Sequence, residues 1–177
     1  PGSPEVVILP AEPRTTDDLV LQLVTEAQDA DGDELSYEIL WSVDGVQRED
    51  LVGDGVPAGE TARDQVWSAV VTASDGSQVG PPVTAEATIR NTPPTVEVSI
   101  EPEVPTTDED LVAQLSALDP DQDSVGFSLR WSLDGAPTPL DGEVVPASET
   151  SQGQLWTVEV TPWDDVSQGQ ATSASAR

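Results

Sequence analysis

One stretch of this sequence occurs twice, and that doubling constrains the fold more than any other feature. The first copy runs Asp29-Ala-Asp-Gly-Asp33, continues from Leu35 to Trp41, and closes on Asp44-Gly45. The second runs Asp119-Pro-Asp-Gln-Asp123, continues from Val125 to Trp131, and closes on Asp134-Gly135. Each copy is an acidic loop, an alternating strand ending on Trp, and a turn. Trp41 and Trp131 stand 90 positions apart, so the 177 residues divide into two repeats, expected at 1–91 and 92–177. A repeat of that length accommodates a seven-strand sandwich. It is too short to build a deep catalytic cleft from its own loops.

The strand at the centre of each copy is the firmest element. Leu35, Tyr37, Ile39, Trp41 and Val43 share one face against Ser36, Glu38 and Ser42, with Leu40 the exception. Val125, Phe127, Leu129, Trp131 and Leu133 repeat the pattern against Gly126, Ser128, Arg130 and Ser132. Period-two alternation of this length marks a half-buried antiparallel strand, because a helix would scatter these side chains around its axis. Further strands are predicted at 5–9, 19–25, 66–73 and 83–89, and at 96–100, 111–116, 155–161 and 170–176. Short edge strands are predicted near 46–51 and 56–61. Asp44-Gly45 and Asp134-Gly135 read as hairpin turns, since Gly accepts positive φ. Trp41, Trp67, Trp131 and Trp156 fall on inward faces, where large aromatic side chains fill a sandwich that has no disulfide. Asn91-Thr-Pro-Pro94 joins the repeats through two prolines, a short stiff connection.

Composition narrows the chemistry. The chain carries 34 Asp and Glu against 6 basic residues, all Arg, for a net charge of -28. Such a field repels nucleic acid and anionic lipid and attracts cations. Dense surface carboxylate also serves solubility alone, so a metal is expected only where carboxylates cluster. There is no Cys and no His, which removes disulfides, Cys/His zinc sites and His-based catalytic triads. Carboxylate pairs are abundant, but each acidic cluster falls on a turn, and no glycine-rich phosphate loop is present. The chain therefore reads as non-catalytic. No apolar run approaches the ~20 residues needed to span a bilayer. Pro1-Gly-Ser3 reads as a cloning remnant ahead of Pro4, and the chain as a fragment of a longer protein.

Taken together, three features resemble immunoglobulin-like bacterial repeats, including the polycystic-kidney-disease type and the cadherin-like type. These are Asp-x-Asp-Gly-Asp-x-Leu-x-Tyr-x-x-x-Trp followed by Asp-Gly, the later Trp-x-x-x-Val-Thr-x-x-Asp-Gly, and the Asn-x-x-Pro joint. The resemblance spans nearly the whole chain, twice. It implies two tandem all-β immunoglobulin-like sandwiches and an extracellular or cell-surface stalk, spacer or adhesive role in a bacterial protein. It also implies Ca²⁺ in the acidic loops. The expected neighbours are adjacent repeats of the same chain, with a cell-surface glycan or protein as the alternative partner. Neither membrane insertion nor self-association is expected. The second copy departs from the pattern where Gln122 replaces the loop Gly and Asp165 replaces the Gly of Asp75-Gly76.

The candidate metal ligands follow from oxygen chemistry, since Ca²⁺ takes six to eight hard oxygens. Asp29, Asp31 and Asp33 alternate in the first loop; Asp119, Asp121 and Asp123 alternate in the second. An EF-hand is excluded, because Glu34 and Ser124 stand where Gly is required and Leu40 and Arg130 where Glu is required. Each loop is thus a partial site needing further ligands. Sandwich topology nominates Asp75 in the first repeat and Asp164 and Asp165 in the second. It also suggests that Asp17, Asp18 and Asn91 approach the second set across the joint, with Asp44 nearby. The plain alternative is that these are solvated Asp turns. Trp163, in Pro162-Trp-Asp-Asp165, is expected to pack on the linker or to offer a sugar-stacking platform.

Overall fold

A computed structural model describes residues 1–177 and is all-β. It divides into two units, Pro1–Thr92 and Pro93–Arg177. Unit one contains β1 (Glu5–Leu9), β2 (Leu19–Thr25), β3 (Ser36–Val43), β4 (Val46–Gln47), β5 (Gly55–Val56), β6 (Val66–Ser74) and β7 (Val83–Thr88). Unit two repeats them as β8 (Thr95–Glu101), β9 (Leu111–Leu118), β10 (Gly126–Leu133), β11 (Ala136–Pro137), β12 (Val144–Val145), β13 (Trp156–Trp163) and β14 (Thr172–Ala176).

Within unit one, a three-stranded sheet ordered β1-β2-β5 faces a four-stranded sheet ordered β4-β3-β6-β7. Unit two has the same plan, with β8-β9-β12 against β11-β10-β13-β14. All pairings between strands are antiparallel. Each unit is an immunoglobulin-like β-sandwich.

Alternation decides what lies between the sheets. Leu19, Leu21, Trp41, Trp67, Ala69, Val71 and Ile89 form the core of unit one. Leu111, Trp131, Trp156, Val158 and Val160 form that of unit two. In each core two tryptophans meet edge to face, Trp41 with Trp67 at 6.5 Å and Trp131 with Trp156 at 6.4 Å between ring centroids. A buried indole N–H needs an acceptor. Trp41 Nε1 donates to the Gly53 carbonyl at 3.0 Å and Trp131 Nε1 to the Gly142 carbonyl at 2.8 Å. Trp67 and Trp156 donate to the side-chain oxygens of Gln65 and Gln154. The repeat is therefore kept at the level of single hydrogen bonds.

The hairpin turn is built as its residues require. Asp44 and Gly45 have φ of 49° and 80°. Two consecutive positive φ values make the turn that matches strand twist. The region expected as a strand at 56–61 differs. Only Gly55–Val56 pairs, and Ala58–Glu60 forms a 3-10 turn. Pro57 leads into that turn in extended backbone and has no N–H for a ladder.

Candidate metal centre

The acidic loop of unit two leads from β9 into β10 and is organised by one carboxylate. Asp119 Oδ1 accepts the N–H of Asp121 at 2.8 Å and the N–H of Asp123 at 3.2 Å. This fastens the loop from within, as Asp side chains do in tight turns. Gln122 takes φ 65°, close to the 81° of Gly32 in unit one. The left-handed conformation costs a non-glycine residue roughly 1–2 kcal/mol. The second loop thus keeps the first loop's shape without its glycine.

The other oxygen of Asp119 is turned inward. The residue is 8% exposed, and its Oδ2 is buried with no hydrogen-bond partner. An ionised oxygen so placed costs at least about 1–3 kcal/mol unless something compensates it. Asp164 arrives from the turn after β13 and is 4% exposed. Its Oδ1 accepts the N–H groups of Val166 and Ser167. Ligand oxygens from Asp119, Asp123 and Asp164 all lie within 4.8 Å of one another. Oxygens sharing one Ca²⁺ at about 2.3–2.6 Å are at most about 5 Å apart. The donor set is hard oxygen only, and Ca²⁺ would need further oxygens to complete a shell of six to eight. Three carboxylates at this spacing repel by roughly 3–4 kcal/mol per pair at an effective dielectric near 20, and a divalent cation between them reverses the sign.

Unit one has the same loop, with a different group facing its first Asp. Asp29 Oδ1 accepts the N–H of Asp31 at 2.9 Å and of Asp33 at 3.2 Å. Asp29 Oδ2, however, lies 3.3 Å from the α-ammonium of Pro1, and both groups are buried. Asp75 corresponds to Asp164, and its Oδ1 accepts the N–H groups of Ser77 and Gln78, each at 2.7 Å. Donation from Asp33 and Asp31, with the ammonium adding to it, holds the Asp29 carboxyl below its usual range. Donation from Gln78 and Ser77 does the same for Asp75, again with the ammonium contributing.

No protein-family model matches the chain. No curated protein matches it either. Among solved structures, the chain is similar to the three N-terminal domains of the bacteriophage RB49 highly immunogenic outer capsid protein, Hoc. The TM-score is 0.34 at 15% identity, covering 98% of this chain and 57% of that one. The chain thus spans a little over half the length of that structure.

Of the ligands expected from sequence, Asp119, Asp123 and Asp164 are brought together, while Asp121 and Asp165 stand outside the trio. Other candidates serve as caps inside unit one. Asp17 accepts the Arg14 N–H, Asp18 accepts the Ala58 N–H, and Asn91 Oδ1 accepts the Arg63 guanidinium. Asp44 accepts the Val66 N–H. Trp163 is 41% exposed and sits opposite Gly126 in the β10–β13 pairing. Its ring lies so close that a Cβ on Gly126 would fall 2.3 Å from a ring carbon. The contact that seats this indole is therefore a cross-strand glycine.

Proposed function

We propose that this chain is a non-catalytic structural module: two tandem immunoglobulin-like repeats serving as a spacer or adhesive stalk of an extracellular bacterial surface protein. In this reading the second repeat is stabilised by a divalent cation of the Ca²⁺ class. Asp119, Asp123 and Asp164 hold the cation. One observation carries the metal assignment, the buried Asp119 Oδ2 that has no hydrogen-bond partner and stands among two further carboxylates. The cation supplies the positive charge that this oxygen lacks, and it ties the loop before β10 to the turn after β13. A tie between those two connections stiffens one end of the sandwich. The second repeat thereby becomes sensitive to calcium.

The spacer reading draws on the residue inventory, on the sandwich repeated with matching hydrogen bonds, and on the resemblance to cadherin-like and polycystic-kidney-disease repeats. Thermal unfolding in Ca²⁺ and in EDTA tests the metal half of the proposal. Calcium raises the melting temperature of unit two, and identical curves refute the assignment. A glycan array with calcium present tests the spacer half. A pure spacer gives no hits, and a saturable hit lost on Trp163→Ala replaces the spacer with a binding module.

A further inference from the structure

One side of unit one is left uncovered by its own strands. β5 pairs only with Leu19 and Val20 of β2, and the next bond on that side runs from the Leu21 N–H to the Asp54 carbonyl at 2.7 Å. Alternate residues of an antiparallel strand direct their N–H and C=O groups to the same neighbour. Leu23 therefore faces the same side as Leu21, and no strand lies beside it. In the opposite sheet β4 pairs only with Ser42 and Val43, so no strand covers that edge of β3 from Ser36 to Leu40. A cavity of about 460 Å³ lies between these two edges, lined by Leu21, Leu23, Tyr37, Ile39, Val71 and Asp54 among others. The Tyr37 hydroxyl already accepts the Ala27 N–H at 3.0 Å, so the interior is apolar and Asp54 is the acidic residue of its lining.

Around the same edge the outer face of the sheet is apolar. Val7, Leu9 and Val20 are 36%, 40% and 45% exposed, and the β1–β2 register sets Leu9 beside Val20. The matching register in unit two sets Glu101 beside Val112 and Ser99 beside Gln114, so Leu9 and Val7 correspond to Glu101 and Ser99. Leu21 likewise corresponds to Ala113. Unit two thus has the same short pairing but a polar surface next to it. Proteins blunt an open edge with charge or Pro inside the strand, and β2 has neither between Leu19 and Thr25. Its charges stand at the two ends of the open stretch, Asp54 beside Leu21 and Glu26 after Thr25, both exposed. Arg48, Arg63 and Arg90 already pair with acidic residues of unit one.

We propose that the open edge of β2 takes up an extended polypeptide strand of another protein, apolar along its length and basic at both ends. The bare main chain selects a polypeptide, because an added strand supplies N–H and C=O groups at the matching spacing. Alternate side chains of the incoming strand enter the cavity beside Leu23 and Tyr37, and the others lie next to Val20 and Leu9. Basic residues at its ends meet Asp54 and Glu26, which are separated by about five residues of extended chain, roughly 17 Å. The net charge of -28 opposes a second copy of this chain as the occupant. The proposal goes beyond the spacer reading and uses no residue of the metal centre.

The test uses the full chain in calcium-free buffer and a labelled synthetic peptide of alternating Val and Ile between paired Lys residues. One control peptide carries Pro at its centre, which removes a ladder donor, and another carries Glu in place of Lys. Fluorescence anisotropy should show saturable binding of the Lys-ended peptide, weakened tenfold or more in either control. Amide exchange at Leu23 should slow on binding, while Ala113 and Leu115 in unit two stay as they were. Val7→Ser and Leu9→Ser together give unit one a polar outer face like that of unit two, and should weaken binding threefold or more with circular dichroism unchanged. No binding, equal binding of the Pro peptide, equal binding by the double variant, or equal protection of unit two overturns the proposal. Slowed exchange at Leu23 on raising the protein concentration without peptide also overturns it, by identifying a second copy as the occupant.

Discussion

The two acidic loops share a backbone design and differ in what faces the first Asp of each. In both, the first Asp spends one oxygen on two loop N–H groups and turns the other inward. In unit one that second oxygen meets the Pro1 ammonium; in unit two it meets no hydrogen-bond donor. The comparison separates two roles that sequence alone merges. The alternating Asp pattern is foremost a turn, fastened by main-chain N–H groups donating to the first Asp. The inward oxygen is a separate feature, and in unit two it lies beside the carboxylates of Asp123 and Asp164.

The largest effects test whether the units are equivalent where they look equivalent. Trp41→Ala and Trp131→Ala each remove a fully buried indole and its hydrogen bond to a loop carbonyl. Each should cost about 3–5 kcal/mol in its own unit, measured by denaturant titration. A large inequality would show that the shared core is shared in shape only. Ile89→Ala should cost unit one about 2–5 kcal/mol by emptying a fully buried core site.

The next effect concerns calcium itself. At a concentration 100-fold above its dissociation constant, a ligand specific to the folded state adds about 2.7 kcal/mol. This should appear in unit two and be absent from unit one while the Pro1 amine is free. Acetylating that amine removes the ammonium and leaves Asp29 Oδ2 in the condition of Asp119 Oδ2. Unit one should then melt lower without calcium and acquire a calcium response of its own, read by differential scanning calorimetry. If acetylation changes nothing, the ammonium is incidental to the loop.

The smallest expected effect lies away from both loops. Arg48 pairs with Asp50 and Glu60 and sits over the Trp67 ring at 5.7 Å. Its side-chain hydrogen bond is the main reason the Asp50 carboxyl is lowered from 3.8 to about 2. A carboxyl depressed on folding stabilises above its ordinary value, and that contribution disappears as pH falls from 3.8 toward about 2. Arg48→Gln should flatten this part of the acid-unfolding profile of unit one and leave neutral-pH stability nearly unchanged, because exposed ion pairs contribute little.

Most strands were legible because burial on one face writes itself into period-two alternation. Leu19, Trp41, Trp67, Trp131 and Val158 could be placed inward before any coordinates, and all are buried. The connections were less legible. Gly55–Val56 ends in a 3-10 turn where a longer strand was expected, since a residue such as Pro57 cannot donate to a ladder. At the site, the spacing of Asp119 and Asp123 pointed to the loop, and topology added Asp164. The fold buries Asp119 Oδ2 and Asp121 Oδ1 and gathers Asp119, Asp123 and Asp164; sequence could not tell which carboxylate oxygens are buried. It also could not foresee that Asp17 and Asp18 cap backbone N–H groups, one local and one 40 residues away. Ile89 was legible as the last inward residue of the alternating run Val83, Ala85, Ala87, Ile89, and it is buried in the core of unit one.

Calorimetric titration of Ca²⁺ into the full chain and into Asp119→Asn tests the central claim most directly. The substitution keeps an oxygen for the loop N–H groups while removing the charge from the inward position. A single saturable binding event in the parent chain, lost in Asp119→Asn with the fold intact by circular dichroism, is the predicted result. Absence of binding in the parent, or equal binding by both chains, would contradict it.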